Sequence, residues 1–217
     1  MKVGTDGVLL GAWAETSGAS AILDIGTGTG LVAIMLAQRT DATIDAIDID
    51  KGACMQASEN INSSPWKDKI TVYHNSLQLF TENAQTSYNL IVTNPPYFGN
   101  SLKTPDEQRN LARHNDSLSI TDMLKGVDKL LSPQGRFVII LPYIEAQLFI
   151  VEAAMYHLYC NKKLVVKTLP TKRPTRIIME FGKIRQKLVE DILSIHGSSA
   201  EYTEEYINLT KDYYLNF

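Results

Sequence analysis

Ala21 to Leu31 reads AILDIGTGTGL, a short apolar run that breaks into three glycines at alternate positions. The run predicts a buried strand over Ala21–Ile25, and the glycines predict a tight turn into a helix over Leu31–Gln38. Glycine permits such a turn, lets the backbone approach a ligand and lets strand and helix pack closely. A helix that starts there offers unpaired N–H groups to an anion. A dinucleotide fingerprint places its glycines first, third and sixth. Here they fall first, third and fifth, at Gly26, Gly28 and Gly30, and Leu31 holds the sixth place. The tighter loop leaves less room for a pyrophosphate. Asp24, two residues before the first glycine, repels phosphate and suits an ammonium group. A ligand carrying both ammonium and carboxylate, an amino-acid moiety, fits the pair. The plainer reading is a generic strand-to-helix turn, and an aspartate ahead of three glycines weighs against it.

Outward from this loop, apolar runs predict strands over Thr43–Ile49, Ile70–His74, Tyr88–Thr93 and Phe137–Leu141. Helical patterns fall over Gly52–Ile61, from Ser119 or Thr121 to Leu131, and over Glu145–Tyr156. Leu164–Thr168 and Ile177–Phe181 read as two late strands with no helix between them, hence antiparallel; Leu188–His196 fits a strand slightly better than a helix. Strands alternating with helices predict a parallel sheet covered on both faces. Ligands of such sheets bind beyond the carboxyl ends of the strands. The second strand ends in Ile47-Asp48-Ile49-Asp50. Asp48 lies 24 positions after Asp24, near the roughly 20-residue offset of a ribose-binding acid, and Asp50 is placed to cap the next helix. That both aspartates merely cap or face solvent stays open at this point. A ribose and an amino acid on one ligand point to S-adenosylmethionine.

The fourth strand runs into Asn94-Pro95-Pro96-Tyr97, then Phe98. Two prolines fix the backbone and remove two N–H donors. Acceptors remain, the Asn94 side-chain oxygen and the Pro95 carbonyl, and they suit a substrate with an NH₂ group. Such a nitrogen is a poor nucleophile because its electrons are delocalised. Accepting its protons draws it toward a tetrahedral shape and stabilises the positive charge that grows as a methyl group arrives. Tyr97 offers a flat face to a planar substrate.

Composition narrows the classes. The chain has 217 residues, 44% hydrophobic and 21% charged, which predicts one globular domain with a sizeable core. No apolar run reaches the roughly 18 residues of a membrane span, and the first residues lack the pattern of a secretory signal. Cys54 and Cys160 show no metal or disulfide spacing, which suggests a reducing, cytoplasmic setting without a metal. The net charge of -3 predicts no polyanion partner, yet nine cations lie between Lys162 and Lys187 against the single Glu180. That asymmetry marks either a nucleic-acid face or a solvated sheet edge.

DIGTGTGL (Asp24 to Leu31) and NPPYF (Asn94 to Phe98) resemble class I S-adenosylmethionine-dependent methyltransferases that methylate amino groups. With KVGTDGVLLGAWA (Lys2 to Ala14), NINSSPW (Asn60 to Trp66) and LARH (Leu111 to His114), the chain resembles the bacterial tRNA1(Val) adenine-37 N6-methyltransferase family over most of its length. The resemblance implies an α/β fold, a Rossmann-like, doubly wound, seven-stranded and mostly parallel sheet with an antiparallel late strand. It implies a single domain over residues 1–217 that acts as a monomer and lacks a short N-terminal segment carried by family members. Asp24, Gly26, Gly28 and Gly30 would line the methionine end of the cofactor, Asp48 its ribose, and Thr5 and Asp6 would close over it. Ser76 stands where the family carries an acid that reads the cofactor's adenine. Asn94, Pro95, Pro96 and Tyr97 would hold the target adenine of a tRNA. Phe98, Arg113, His114, Lys172, Arg173 and Arg176 are the further candidates for RNA contact, with His114 equally suited to packing its loop. Two other functions stay open on these residues: methylation of a glutamine amide in a protein, and silent binding of cofactor or RNA.

Overall fold

The computed structural model describes residues 4–96, 118–199 and 201–215. In chain order the strands are β1 (Ala21–Ile25), β2 (Thr43–Asp48), β3 (Ile70–His74), β4 (Tyr88–Thr93), β5 (Leu131–Pro142), β6 (Tyr159–Lys167), β7 (Pro174–Gly182) and β8 (Val189–Ser194). They form one sheet in the order β3-β2-β1-β4-β5-β7-β6-β8. Among the described residues only β7 runs against the others, pairing antiparallel with β5 and with β6, and the sheet has eight strands where seven were expected, because Val189–Ser194 adds to β6 in parallel.

The helices are α1 (Thr5–Trp13), α2 (Leu31–Ala37), α3 (Lys51–Asn62), α4 (Leu77–Asn83), α5 (Ile120–Leu130), α6 (Tyr143–Met155) and α7 (Glu204–Thr210). One face of the sheet packs against α1, α2, α3 and α7 through Leu9, Leu10, Leu36, Ile61 and Tyr206. The other packs against α4, α5 and α6 through Leu77, Leu124, Val127 and Phe149. A sheet buried on both faces explains the unbroken apolar runs Ile22–Leu23 of β1, Leu90–Val92 of β4 and Phe137–Leu141 of β5. Helix starts follow their caps: the Asp50 carboxylate accepts from the Ala53 N–H, and Ser76, Ser119 and Thr203 do likewise for α4, α5 and α7.

Two helices lack a visible period. In α1, TDGVLLGAW, every residue from Gly7 to Ala12 is buried, so no polar face marks it. It approaches α2 so closely that a Cβ on Gly7 would stand 3.2 Å from Leu31 and one on Gly11 2.8 Å from Met35. Arg39 closes its far end, donating to the carbonyls of Gly11, Ala12 and Ala14. The other, α4, is only seven residues long.

The strand register positions the site. Ile25 sits level with Ile47 of β2 and with Thr93 of β4. The next residues, Gly26, Asp48 and Asn94, therefore leave three adjacent strands at one height. The chain runs from β1 outward to β2 and β3, then returns to β4 on the other side of β1. That reversal makes the crevice beyond β1 and β4 the expected ligand site of a doubly wound sheet.

Candidate active site

The glycine loop has the conformation that its residues demand. Gly26, Gly28 and Gly30 have φ of 70°, 58° and 81°, left-handed values that an L side chain adopts only with strain. The N–H groups of Gly26 and Thr27 both donate to the Ile47 carbonyl, at 2.9 and 3.0 Å. Nothing lies within 4 Å of a Cβ built on Gly26, so the loop borders open space there. On its other side the loop packs tightly: a Cβ on Gly30 would sit 3.3 Å from Ile61. Asn60 Nδ2 donates to the Thr29 carbonyl at 2.9 Å, so the NINSSPW segment secures the loop from α3.

Asp24 lies beneath the loop and is 1% exposed. Its Oδ2 accepts from the Thr27 hydroxyl at 2.7 Å, just ahead of the start of α2. Burial pushes its pKa up to about 6, and the nearby Asp48 adds to the rise. Asp48 Oδ2 accepts from the Gly28 N–H at 2.8 Å and Oδ1 from the Asp50 N–H at 2.9 Å. A carboxylate offers about four lone-pair sites, so two remain for hydroxyl donors. Two carboxylates under and beside an open glycine loop favour a cation over a phosphate.

Asn94 is exposed, Pro95 buried and Pro96 exposed. The Thr93 hydroxyl donates to the Ile25 carbonyl at 2.8 Å and so ties this corner to the start of the glycine loop. The Asn94 amide nitrogen lies 3.9 Å from a Cβ built on Gly7, which brings α1 over the same crevice. Tyr97, Phe98, Arg113 and His114 lie outside the described residues.

Three of the expected contact residues have partners within the protein. Arg176, a candidate for phosphate, donates through Nε to Asp6 Oδ2 at 2.8 Å and through Nη1 to the Thr175 carbonyl. It stands opposite Pro142 at the carboxyl end of β5 and holds the first turn of α1 across the rim. Asp6 is accordingly engaged by Arg176. The Ser76 hydroxyl accepts from the Leu79 N–H as the cap of α4, which leaves it only its proton to offer a ligand. Lys172 and Arg173 are exposed in the loop between β6 and β7, on the same rim. The rest of the basic stretch disperses. Lys163 pairs with Glu190, Lys183 with Asp128, and Lys162 lies over the Trp13 ring.

Four residues that build this site were not singled out for a role in the sequence. Thr27, Asn60 and Thr93 lie inside or beside recognisable motifs, and strand-end threonines next to a glycine loop are a usable signal. Ile49, 47% exposed beside Asp48, is an apolar wall at the strand end.

The "Methyltransferase small domain" family matches residues 4–153. The chain is 49% identical over 216 residues to a tRNA1(Val) (adenine(37)-N6)-methyltransferase of Bacteroides fragilis, covering 99% of this chain and 91% of that protein. A protein of the same name from Bacteroides thetaiotaomicron is 48% identical over 218 residues, covering 100% and 91%. Among solved structures, a "predicted O-methyltransferase" from Agrobacterium tumefaciens superposes with a TM-score of 0.75 at 15% identity over 95% of this chain and 96% of its own, a likeness of fold.

Proposed function

The chain belongs to the methyltransferase small-domain family and, within it, to the tRNA1(Val) (adenine(37)-N6)-methyltransferases; on that premise we propose that it moves the methyl group of S-adenosylmethionine to N6 of an adenine in the anticodon loop of tRNA1(Val), in the cytoplasm. The observation that carries this reading is the common height of Gly26, Asp48 and Asn94 at three adjacent strand ends. It sets an acceptor corner for an amine beside a loop suited to a cationic nucleoside.

The residues fit the cofactor. The cradle at Gly26 is open, and the donor set is anionic where the ligand carries an ammonium and a sulfonium. When bound, S-adenosylmethionine supplies an electrophilic methyl group. Asp48 would accept from the ribose hydroxyls, Ile49 would wall the adenine, and Asp24 would act as buried negative charge under the loop. Asn94 and Pro95 would accept the two protons of the target amine and fix its nitrogen for in-line attack. Tyr97 would stack the base, which is flipped out of a loop more cheaply than out of a duplex. No strong base is required, because the proton leaves after the new bond forms. Lys172 and Arg173 would meet phosphates on the rim.

Nucleoside mass spectrometry of tRNA1(Val) with and without the gene tests the substrate. N6-methyladenosine should vanish on deletion and return on complementation; unchanged modification, or a methylated glutamine lost in its place, removes the proposal.

The Asp6–Arg176 pair should act as a latch on α1. Both side chains are about a quarter exposed, at 26% and 27%, so the pair is worth about 1 kcal/mol at most. Arg176→Ala should raise the KM for cofactor about fivefold, with kcat little changed, and the charge swap Asp6→Arg with Arg176→Asp should restore part of the loss. A loss confined to tRNA affinity would assign Arg176 to the nucleic acid.

Asp24 sets a pH dependence. Its folded pKa of about 6 lies above the ordinary 3.8. Below 3.8 both folded and unfolded chains hold the proton. Between 3.8 and 6 only the folded chain does, so the ligand-free protein loses stability from this group as pH rises through that window and loses no more above 6. Affinity runs the other way, because the ionised carboxylate attracts the cation. Affinity for S-adenosylmethionine, measured by calorimetry, should fall toward a limit of about tenfold per pH unit below 6. Asp24→Asn should flatten that slope, and an unaltered slope in the variant rejects the assignment.

A further inference from the structure

On α6 the side chains of Ile144, Leu148, Val151 and Met155 are 77, 62, 68 and 70% exposed. Their spacing of four, three and four residues is that of a two-stranded coiled-coil seam, and at 100° per residue all four lie within about 60° of arc. The opposite face of the helix, Ala146, Phe149 and Ala153, is buried in the core. The exposed face also carries Tyr143, Gln147 and Ala154, and no charged residue; Glu145 and Glu152 flank it, partly exposed. The neighbouring helix α5 shows the ordinary pattern, with Thr121, Lys125 and Lys129 in solvent.

We propose that this stripe is the contact surface of a homodimer, α6 packed in parallel against α6 of a second copy about a twofold axis along the helices. The area suits that occupant. Four long apolar side chains at such exposure, with Tyr143 and Ala154 beside them, present roughly 500 Å² per copy, and a twofold pair covers about 1,000 Å², where specific interfaces begin. The seam is complementary to itself, as a twofold contact requires. Polar matching across the seam sets the orientation. Glu152 lies on one flank of the seam, and Gln147 and Ala154 lie on the other. A parallel pair brings Glu152 to Gln147 of the second copy, whose amide donates to a carboxylate. Because α6 starts at the carboxyl end of β5, both active-site rims then open to the same side. The proposed dimer stands against the monomer that the family resemblance implies.

Sedimentation equilibrium of the full chain should show a dimer with a dissociation constant on the order of micromolar. Leu148→Asp should raise that constant about a hundredfold or more, with methyl transfer by the isolated chain unchanged and the concentration dependence of the melting temperature lost. In a parallel seam each residue meets its own equivalent, so Leu148→Cys alone should form a disulfide-linked dimer on mild oxidation. The native thiols provide the background: Cys54 is buried, and burial raises the Cys160 thiol to about 11. A chain that is monomeric at about 100 µM, or a dimer indifferent to Leu148→Asp, overturns the proposal. So does cross-linking that needs a mixture of Leu148→Cys and Val151→Cys chains, the mark of antiparallel helices.

Discussion

Asn94→Ala loses nearly all turnover, a fall in kcat of about a thousandfold, while its affinity for S-adenosylmethionine stays within about twofold of the parent. The expectation follows from where the side chain stands. Asn94 leaves β4 one residue after Thr93, whose hydroxyl is bound to the Ile25 carbonyl, and two prolines follow it. The backbone cannot drift to compensate, and the prolines supply no N–H to confuse the polarity of the corner. The amide oxygen is thus a fixed acceptor that gains strength as the amine becomes cationic. Removing one such preorganised group costs about 10²–10³ in rate, and disordered placement of the base adds to it. The glycine loop and Asp48 make their contacts without Asn94, so cofactor binding is spared. Single-turnover methyl transfer alongside calorimetry separates the two quantities. A variant that keeps more than about a tenth of the rate excludes Asn94 from the amine site.

The second large effect is the mirror of the first. Asp48→Ala should weaken S-adenosylmethionine about a hundredfold, with kcat at saturating cofactor nearly intact. The carboxylate has two duties. It receives the N–H groups of Gly28 and Asp50, which holds the loop shut and starts the turn into α3, and it keeps acceptor capacity for two ribose hydroxyls. Hydrogen bonds to a charged group are worth about 1.5–3 kcal/mol each, and a loss of about 2.7 kcal/mol is a hundredfold in affinity. Asp48→Asn should fall between, since one oxygen can still take the Gly28 N–H. Equal affinity in the alanine variant would deny Asp48 the ribose and leave it a loop residue.

Much of the site was legible because it is written in residues with unusual backbones. Glycines at 26, 28 and 30 predict a tight turn, and all three take the positive φ that such a turn uses. Prolines at 95 and 96 predict an end to the strand, and β4 stops at Thr93. Asp50 was expected to cap α3 and does so. Residues whose partners are far away were not legible. Arg176 looks like one more cation in a basic stretch until the fold brings Asp6 to it from 170 positions away. Ser76 shows its second role only in the fold, where its hydroxyl caps α4 and keeps its proton for a ligand.

By itself, then, the sequence determined the order of the strands and of most helices between them, the tight glycine turn and the donor-free corner, because alternation of apolar runs, glycine and proline act through each residue's own backbone and nearest neighbours. Tertiary structure alone decided which of these meet at one height, that α1 is a helix buried on every side, that Arg176 faces inward, and that one apolar stripe of α6 stays in water. Those outcomes depend on register across the sheet and on which surfaces the fold covers, and neither is a property of any short stretch of chain.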